Sequence, residues 1–392
     1  MARFQRTTEE GEEAKATTLE LFYDLVFVFA ITQVSHHLLA HLTWTGAGQS
    51  AIMLLAVWWS WNYTTWATNE LDPESPVVRG LIVAVMLGSL LMSVSIPDAF
   101  GERALLFAGA YVAIQVGRTL FLVFVSAGAG SPERHRAQRL LAYFLAGGTL
   151  FIAGALADGT ARTVLWVLGL GIELSGPATT YWLPGAGRGS MQAWTVQSSH
   201  FTERFQLFVI IALGESIVIT GATTAELELD AARSAAFVVA FLGSALLWWL
   251  YFNAAAMRAA EHLERSTADR TRMARDAYTY LHVVLVAGII VTAVGDELVI
   301  AHPTEHLHLA EVIAVCGGPG LYLLGQSLIR LRVAGSISSK RTAGAVACAA
   351  CILFGTSVSA LALSTILLVI VAAVIVSEEV AGLRRDRRAA VA

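Results

Sequence analysis

HFTERFQLFVIIALGESIVITG, residues 200–221, decides how the rest of the chain is read. A polar head of His200, Glu203 and Arg204 opens an apolar run that is interrupted once, by Gly214-Glu215-Ser216. As a helix rising ~1.5 Å per residue, the run carries Glu215 roughly 18 Å beyond Glu203. That is near the middle of a bilayer whose hydrocarbon core is ~30 Å thick. A carboxylate at such depth costs at least ~2.5–3.5 kcal/mol unless it faces protein or water and finds a partner. Either a neighbouring helix satisfies a protonated Glu215, or the carboxyl works with other charges inside the membrane. The second reading is favoured, because such charges exist elsewhere in the chain.

Composition agrees with a membrane setting. Of 392 residues, 56% are hydrophobic and 14% charged, with a mean hydropathy of +0.63, whereas soluble domains carry about 25% charged residues. The net charge of −4 and the lack of a basic, aromatic-interleaved stretch give no reason to expect a nucleic-acid partner. The first apolar run starts at Leu19 behind Glu9, Glu10, Glu12 and Glu13 and has no small-residue cleavage site. It therefore reads as a retained span rather than a signal peptide.

Uncharged runs of roughly 17–25 residues predict an all-α polytopic protein with about twelve transmembrane helices. The first six cover 19–41, 48–69, 78–97, 104–126, 138–157 and 163–183. The second six cover 203–223, 234–256, 278–298, 308–329, 342–358 and 360–380. The uncharged stretch from Thr342 to Ser377 is too long for one crossing and is split near Gly355–Ser359. The domains that follow are an acidic tail (1–18), a first six-helix half (19–183), a connector (184–202), a second half (203–380) and a basic tail (381–392). Pro184, Gly185, Gly187 and Gly189 keep the start of the connector from forming a helix.

Positive charge sets the orientation. Only Arg103, Arg162, Arg233 and Arg118 lie on the predicted outer side or inside a span, leaving 22 of the 26 Lys and Arg for the tails, the inner span ends and alternate loops. Both termini are therefore expected to be cytoplasmic. The halves also echo each other. Glu20 opens ELFYDLVFVFAITQ as Glu203 opens ERFQLFVIIALGES; Trp58-Trp59 matches Trp248-Trp249; and Gly117-Arg118-Thr119-Leu120 matches Gly325-Gln326-Ser327-Leu328. Three matches in order suggest two six-helix pseudo-repeats. An even helix number would give both the same orientation, with polar residues gathered between them.

Glu20 and Asp24 of the first span are one turn apart. Each is either a helix-start carboxylate favoured by the dipole or part of a polar path. Arg118 lies ~21 Å into span four, and Glu173 near the middle of span six. Arg stays protonated, so it is expected to pair with Glu173 or Glu215, and the other acid must be neutral or bind a cation. Gly214 is expected to admit a neighbouring backbone, and Ser216 to hydrogen-bond across helices. The aromatic run Trp58, Trp59, Trp61, Tyr63, Trp66 reads as packing or lipid contact, with an apolar substrate lining as the alternative. His36, His37 and His41, like His302, His306 and His308, could in principle bind zinc but read better as a helix end and a solvated loop. Cys316, Cys348 and Cys351 read as small apolar fillers. No metal or other cofactor is expected. No hydrolase, phosphate-loop or zinc signature appears, so an enzyme is not expected.

LELFYDLVFVFAITQ and HFTERFQLFVIIALGES resemble the two most characteristic stretches of the bacterial low temperature requirement A (LtrA) family. The resemblance singles out Glu20, Phe22, Asp24, His200, Glu203, Arg204, Gly214 and Glu215. It implies a multi-helix protein of the bacterial cytoplasmic membrane, linked by name to growth in the cold and hence to a stress response, with no reaction attached. Phe22-Tyr23-Asp24 is also similar to the first helix of lysosomal-type potassium channels built on six-helix repeats. Here, however, Tyr23 replaces the serine of that motif, and the second repeat has Leu207 where the aspartate would stand. The leading expectation is proton-coupled transport of a small solute or ion between the halves, along Glu20, Asp24, Arg118, Glu173, His200, Glu203, Arg204 and Glu215. A cation channel, which would need a homodimer, and a non-transport envelope or stress protein are the alternatives.

Overall fold

The computed structural model describes residues 4, 16–128, 130–189, 198–253 and 270–391. Residues 1–3 and 5–15 of the acidic N-terminal tail, the part of the connector that holds Trp194, and the loop carrying Arg258 and Arg265 lie outside the described residues. Within them the chain is helical and forms no strand.

Local chemistry sets the helix starts. Helix α1 (Thr18–Ala40) opens on a capping box in which Thr17 accepts from the Glu20 N–H while Glu20 reaches back to the Thr17 N–H. The Thr43 side chain caps α2 (Trp44–Glu70). Proline occupies the first turn of α3 (Pro76–Ser95) and of α5 (Pro132–Leu156), where its missing N–H costs nothing. Between them lies α4 (Ala104–Phe121), continued by a wider turn over Leu122–Ser126. Helix α6 (Gly159–Thr179) ends on a left-handed Thr180. Then come α7 (Ser198–Glu226), α8 (Ala231–Phe252), α9 (His282–Ala301), α10 (Leu309–Ala334), α11 (Ser339–Cys351) and α12 (Ala360–Val391). The break between α11 and α12 is a short turn at Gly355–Ser357, where the sequence predicted it.

Among the described residues nine helices are long and apolar enough to cross a membrane: α1, α3, α4, α5, α7, α8, α9, α10 and α12. The protein is thus a multi-pass membrane protein. Three further segments predicted as crossings fall short of that length and hydropathy. Helix α2 carries buried polar residues on more than one side, Ser60, Asn62, Thr64, Thr65, Thr68 and Asn69. Nearly every residue of α2 from Ile52 to Asn69 is buried, so it meets protein rather than lipid. Helix α6 carries Arg162 and Glu173, and α11 has only 13 residues, about 20 Å at the helical rise.

The chain divides into two compact units, Met1–Phe208 and Val209–Ala392. The division falls inside α7 rather than in the connector, because side chains on the first turns of α7 are bound to α1 and α2. In the first unit α1 packs on α2 and α3, α3 on α4, α4 on α5 and α5 on α6, with α2 touching α4 and α6. Trp58 and Trp61 of α2 pack edge-on against Phe205, so the aromatic run is core packing.

In the second unit α9 and α10 share the most extensive contact. Gly318 allows this: a Cβ there would lie 2.5 Å from the Thr292 backbone nitrogen. The matching pair Trp248 and Trp249 is half exposed, at 46% and 50%, unlike buried Trp58 and Trp59. Gly214 does not admit a neighbouring backbone as predicted, since a Cβ there would meet nothing within 4 Å.

Candidate functional site

The acids of α1 and the bases of α7 share one spacing. Glu20 and Asp24 are four residues apart, as are His200 and Arg204, so each pair occupies one face of its helix. The structure brings the four together within the first unit, all with 0% exposure. Arg204 grips Asp24 at two points, Nη2 to Oδ1 at 2.5 Å and Nε to Oδ2 at 3.2 Å. This fork suits a planar guanidinium. Its Nη1 reaches Glu20 Oε1 at 3.1 Å, and the guanidinium lies over the Tyr23 ring. His200 Nε2 stands 3.0 and 3.2 Å from the two Glu20 oxygens.

Helix α2 completes the cluster. The Trp61 indole donates to Asp24 Oδ1 at 2.7 Å, Thr68 accepts from Arg204 at 3.4 Å, and Asn69 Oδ1 lies 3.4 Å from His200 Nδ1. Both imidazole nitrogens therefore face oxygen. A doubly protonated His200 donates to both, and the four charges then cancel; a neutral ring donates to one and leaves a net charge of −1. Glu203 stands apart, accepting the Ala16 N–H at 2.8 Å, where it ties the segment before α1 to α7.

A second polar cluster lies on α2, α4 and α6. Tyr111, Gln115 and Arg118 recur at helical spacing on α4. The Arg118 guanidinium donates to the Ser60 carbonyl (3.3 Å), to Thr64 Oγ1 (3.0 Å) and to Gln115 Oε1, and it faces the Tyr63 and Phe144 rings. Gln115 Nε2 donates to the Tyr111 hydroxyl at 3.3 Å, which in turn donates to Glu173 Oε2 at 2.5 Å. Arg118 thus forms no ion pair among the described residues. This corrects the expected pairing with Glu173 or Glu215. Neutral oxygens and two aromatic faces satisfy the guanidinium, and it meets Glu173 only through Gln115 and Tyr111.

Glu173 Oε1 is buried without a hydrogen-bond partner. It lies against Gly147, where a Cβ would come within 2.5 Å of it. Glu215 belongs to the second unit and joins neither cluster. It is 8% exposed, and its neighbour Ser216 meets the Ser244 hydroxyl at 3.2 Å.

The chain matches the family described as bacterial low temperature requirement A protein (LtrA) over residues 15–376. It belongs to the LtrA family. This LtrA protein is 36% identical over 318 residues to the uncharacterized protein RA0937 of Rhizobium meliloti (strain 1021), a match covering 81% of this chain and 77% of the other. No solved structure matches it.

Several residues of the two clusters escape a reading that looks for charge. Trp61, Thr68 and Asn69 bind the α1–α7 cluster, and Tyr111 and Gln115 link Arg118 to Glu173. Part of their signal was available as hydroxyl residues at 60, 64 and 68 and as Tyr111 and Gln115 on the same helical face as Arg118. The histidines have local partners instead of a shared ligand. His37 meets Ser50 at 3.0 Å, His302 meets Glu305 at 3.0 Å, His306 meets the Thr356 carbonyl at 3.2 Å, and His308 caps α10. No group of three metal-binding side chains occurs among the described residues.

Proposed function

We propose that this LtrA protein transports a small solute or ion across the bacterial cytoplasmic membrane, coupled to protons, with both termini in the cytoplasm. The observation that carries the reading is Glu173. It is a buried carboxyl on a helix within the membrane protein, has one unpartnered oxygen, and is joined through Tyr111 and Gln115 to the fixed charge of Arg118. The Tyr111 hydroxyl can relay a proton to and from the Glu173 carboxyl, while Gln115 orients that hydroxyl and the charge of Arg118 biases where the proton rests. Glu215 is the second proton carrier considered, in the other unit. We further propose twelve crossings from two six-helix repeats. In support, Thr119 and Ser327, at matching positions, both donate to the carbonyl four residues earlier.

A channel of the six-helix-repeat type fits less well. Asp24, which would line its pore, is held by Arg204 and Trp61. A non-transport role is favoured by one feature, the mutual saturation of Glu20, Asp24, His200 and Arg204, which makes that cluster a clasp. Proteoliposomes holding the full chain and a trapped pH-sensitive dye, exposed to a panel of inorganic cations and small organic solutes, separate these readings. Transport predicts a saturable dye response to at least one compound, lost in Glu173→Gln or Glu215→Gln with folding intact. A linear, non-saturating flux would indicate the channel. Silence across the panel would leave the non-transport role.

A further inference from the structure

Four helices of the second unit, α8, α9, α10 and α12, converge on a cavity of roughly 40 Å³. Most of its wall is aliphatic, but one side is not. Asp296 of α9 lines it with Thr292 one turn earlier, Val315 and Pro319 of α10, and Ser364 of α12. Asp296 is 8% exposed, and its Oδ2 is closed off from solvent with no hydrogen-bond partner. No ion pair or other polar contact of its side chain exists among the described residues. Burying a carboxyl in this way is costly unless something binds it.

The groups around Asp296 supply oxygens and no cation. The Thr292 hydroxyl hydrogen is committed to the Gly288 carbonyl at 2.8 Å, which leaves oxygen lone pairs free. Residue 319 is proline within α10, so the Val315 carbonyl lacks the N–H that an unbroken helix would offer it. Ser364 adds a hydroxyl. A carboxylate, hydroxyls and a helix carbonyl released by proline are hard oxygen donors of the kind that hold alkali cations inside membrane helices. A single carboxylate balances one positive charge, whereas a divalent ion would leave a net charge buried. About 10–15 Å³ suffices for one water, so the space admits a partly dehydrated small ion with a water or two.

We propose that Asp296, Thr292, Val315 and Ser364 form a binding site for a monovalent cation of sodium's size. The site shares no residue with the Glu173 relay and stands or falls independently of it. Full-length protein in detergent micelles would be tested by radiolabelled sodium binding in a scintillation proximity assay, and by thermal unfolding in NaCl against choline chloride at equal ionic strength. The expected result is saturable binding and a rise in Tm specific to sodium, both lost in Asp296→Asn. If that variant fails to fold, Thr292→Val serves instead, expected to weaken binding about tenfold or more through loss of one oxygen donor. Glu173→Gln should bind sodium as the wild type does. No sodium-specific binding or stabilisation, or equal binding by Asp296→Asn, would overturn the proposal and leave Asp296 as a buried protonated acid.

Discussion

Arg204 holds Asp24 by a fork and Glu20 by a third bond, with none of the three exposed to solvent. Removing one partner leaves the other charge buried and alone, which costs about 3–5 kcal/mol, while replacing both by apolar groups can be neutral. Asp24→Asn and Arg204→Met should therefore each lower the thermal stability of the purified protein sharply, and the double variant should recover much of that loss. Strictly additive losses in a double-mutant cycle would show that the fork contributes nothing beyond its two halves. The sequence made these charges visible, because an acid or arginine stands out in an apolar run. It did not show the partners of Arg118. A guanidinium can be satisfied by a carbonyl, a hydroxyl, an amide and two rings, and none of these draws attention by charge. Asp296 was missed for a different reason. It sits at the end of a predicted span beside Glu297, where acids usually meet water.

At the level of helices, α9 and α10 show how little separates a neutral glycine from an essential one. A Cβ on Gly318 would lie 2.4 Å from the Thr292 hydroxyl oxygen, whereas one on neighbouring Gly317 would meet only a Val291 methyl at 3.9 Å. Gly317→Ala should stabilise the protein slightly, since alanine gains up to ~1 kcal/mol over glycine inside a helix. Gly318→Ala should destabilise it by about 1–3 kcal/mol by forcing the two helices apart. Thermal unfolding of both variants checks this, and a shift of the same sign in each would refute the close approach. Helix positions were largely legible, down to the break before α12, because capping residues, prolines and uncharged runs act locally. Helix α2 shows where that reading fails. Its hydroxyl and amide residues lower its hydropathy because protein, not lipid, surrounds it, and neighbours of that kind are not written in the helix itself.

For the molecule as a whole, the distribution of arginine makes a statement about sidedness that can be checked. Ser131, at the start of α5, and His302, just after α9, should lie on opposite sides of the membrane. In intact cells a membrane-impermeant maleimide should label His302→Cys, and should label Ser131→Cys only after permeabilisation. Natural Cys316, Cys348 and Cys351 are buried and give little background. Labelling of Ser131→Cys alone from outside would reverse the proposed orientation, and labelling of both from outside would refute the odd number of crossings between them. The sequence starts its second half at residue 203, inside α7, and the two units divide after Phe208. The division falls there because His200 and Arg204 bind α1, a long-range contact that no local pattern encodes.

That contact also bears on how the protein is made. Glu20 and Asp24 leave the ribosome 180 residues ahead of His200 and Arg204. At about 5–20 residues per second, the first helix waits on the order of ten to forty seconds for its counter-charges to be translated. Until then two carboxylates must be sheltered by the translocon, by interfacial water or by protonation. The newborn first helix thus enters the membrane with its acids unpaired, and their pairing is completed only when the second half of the chain has begun to appear.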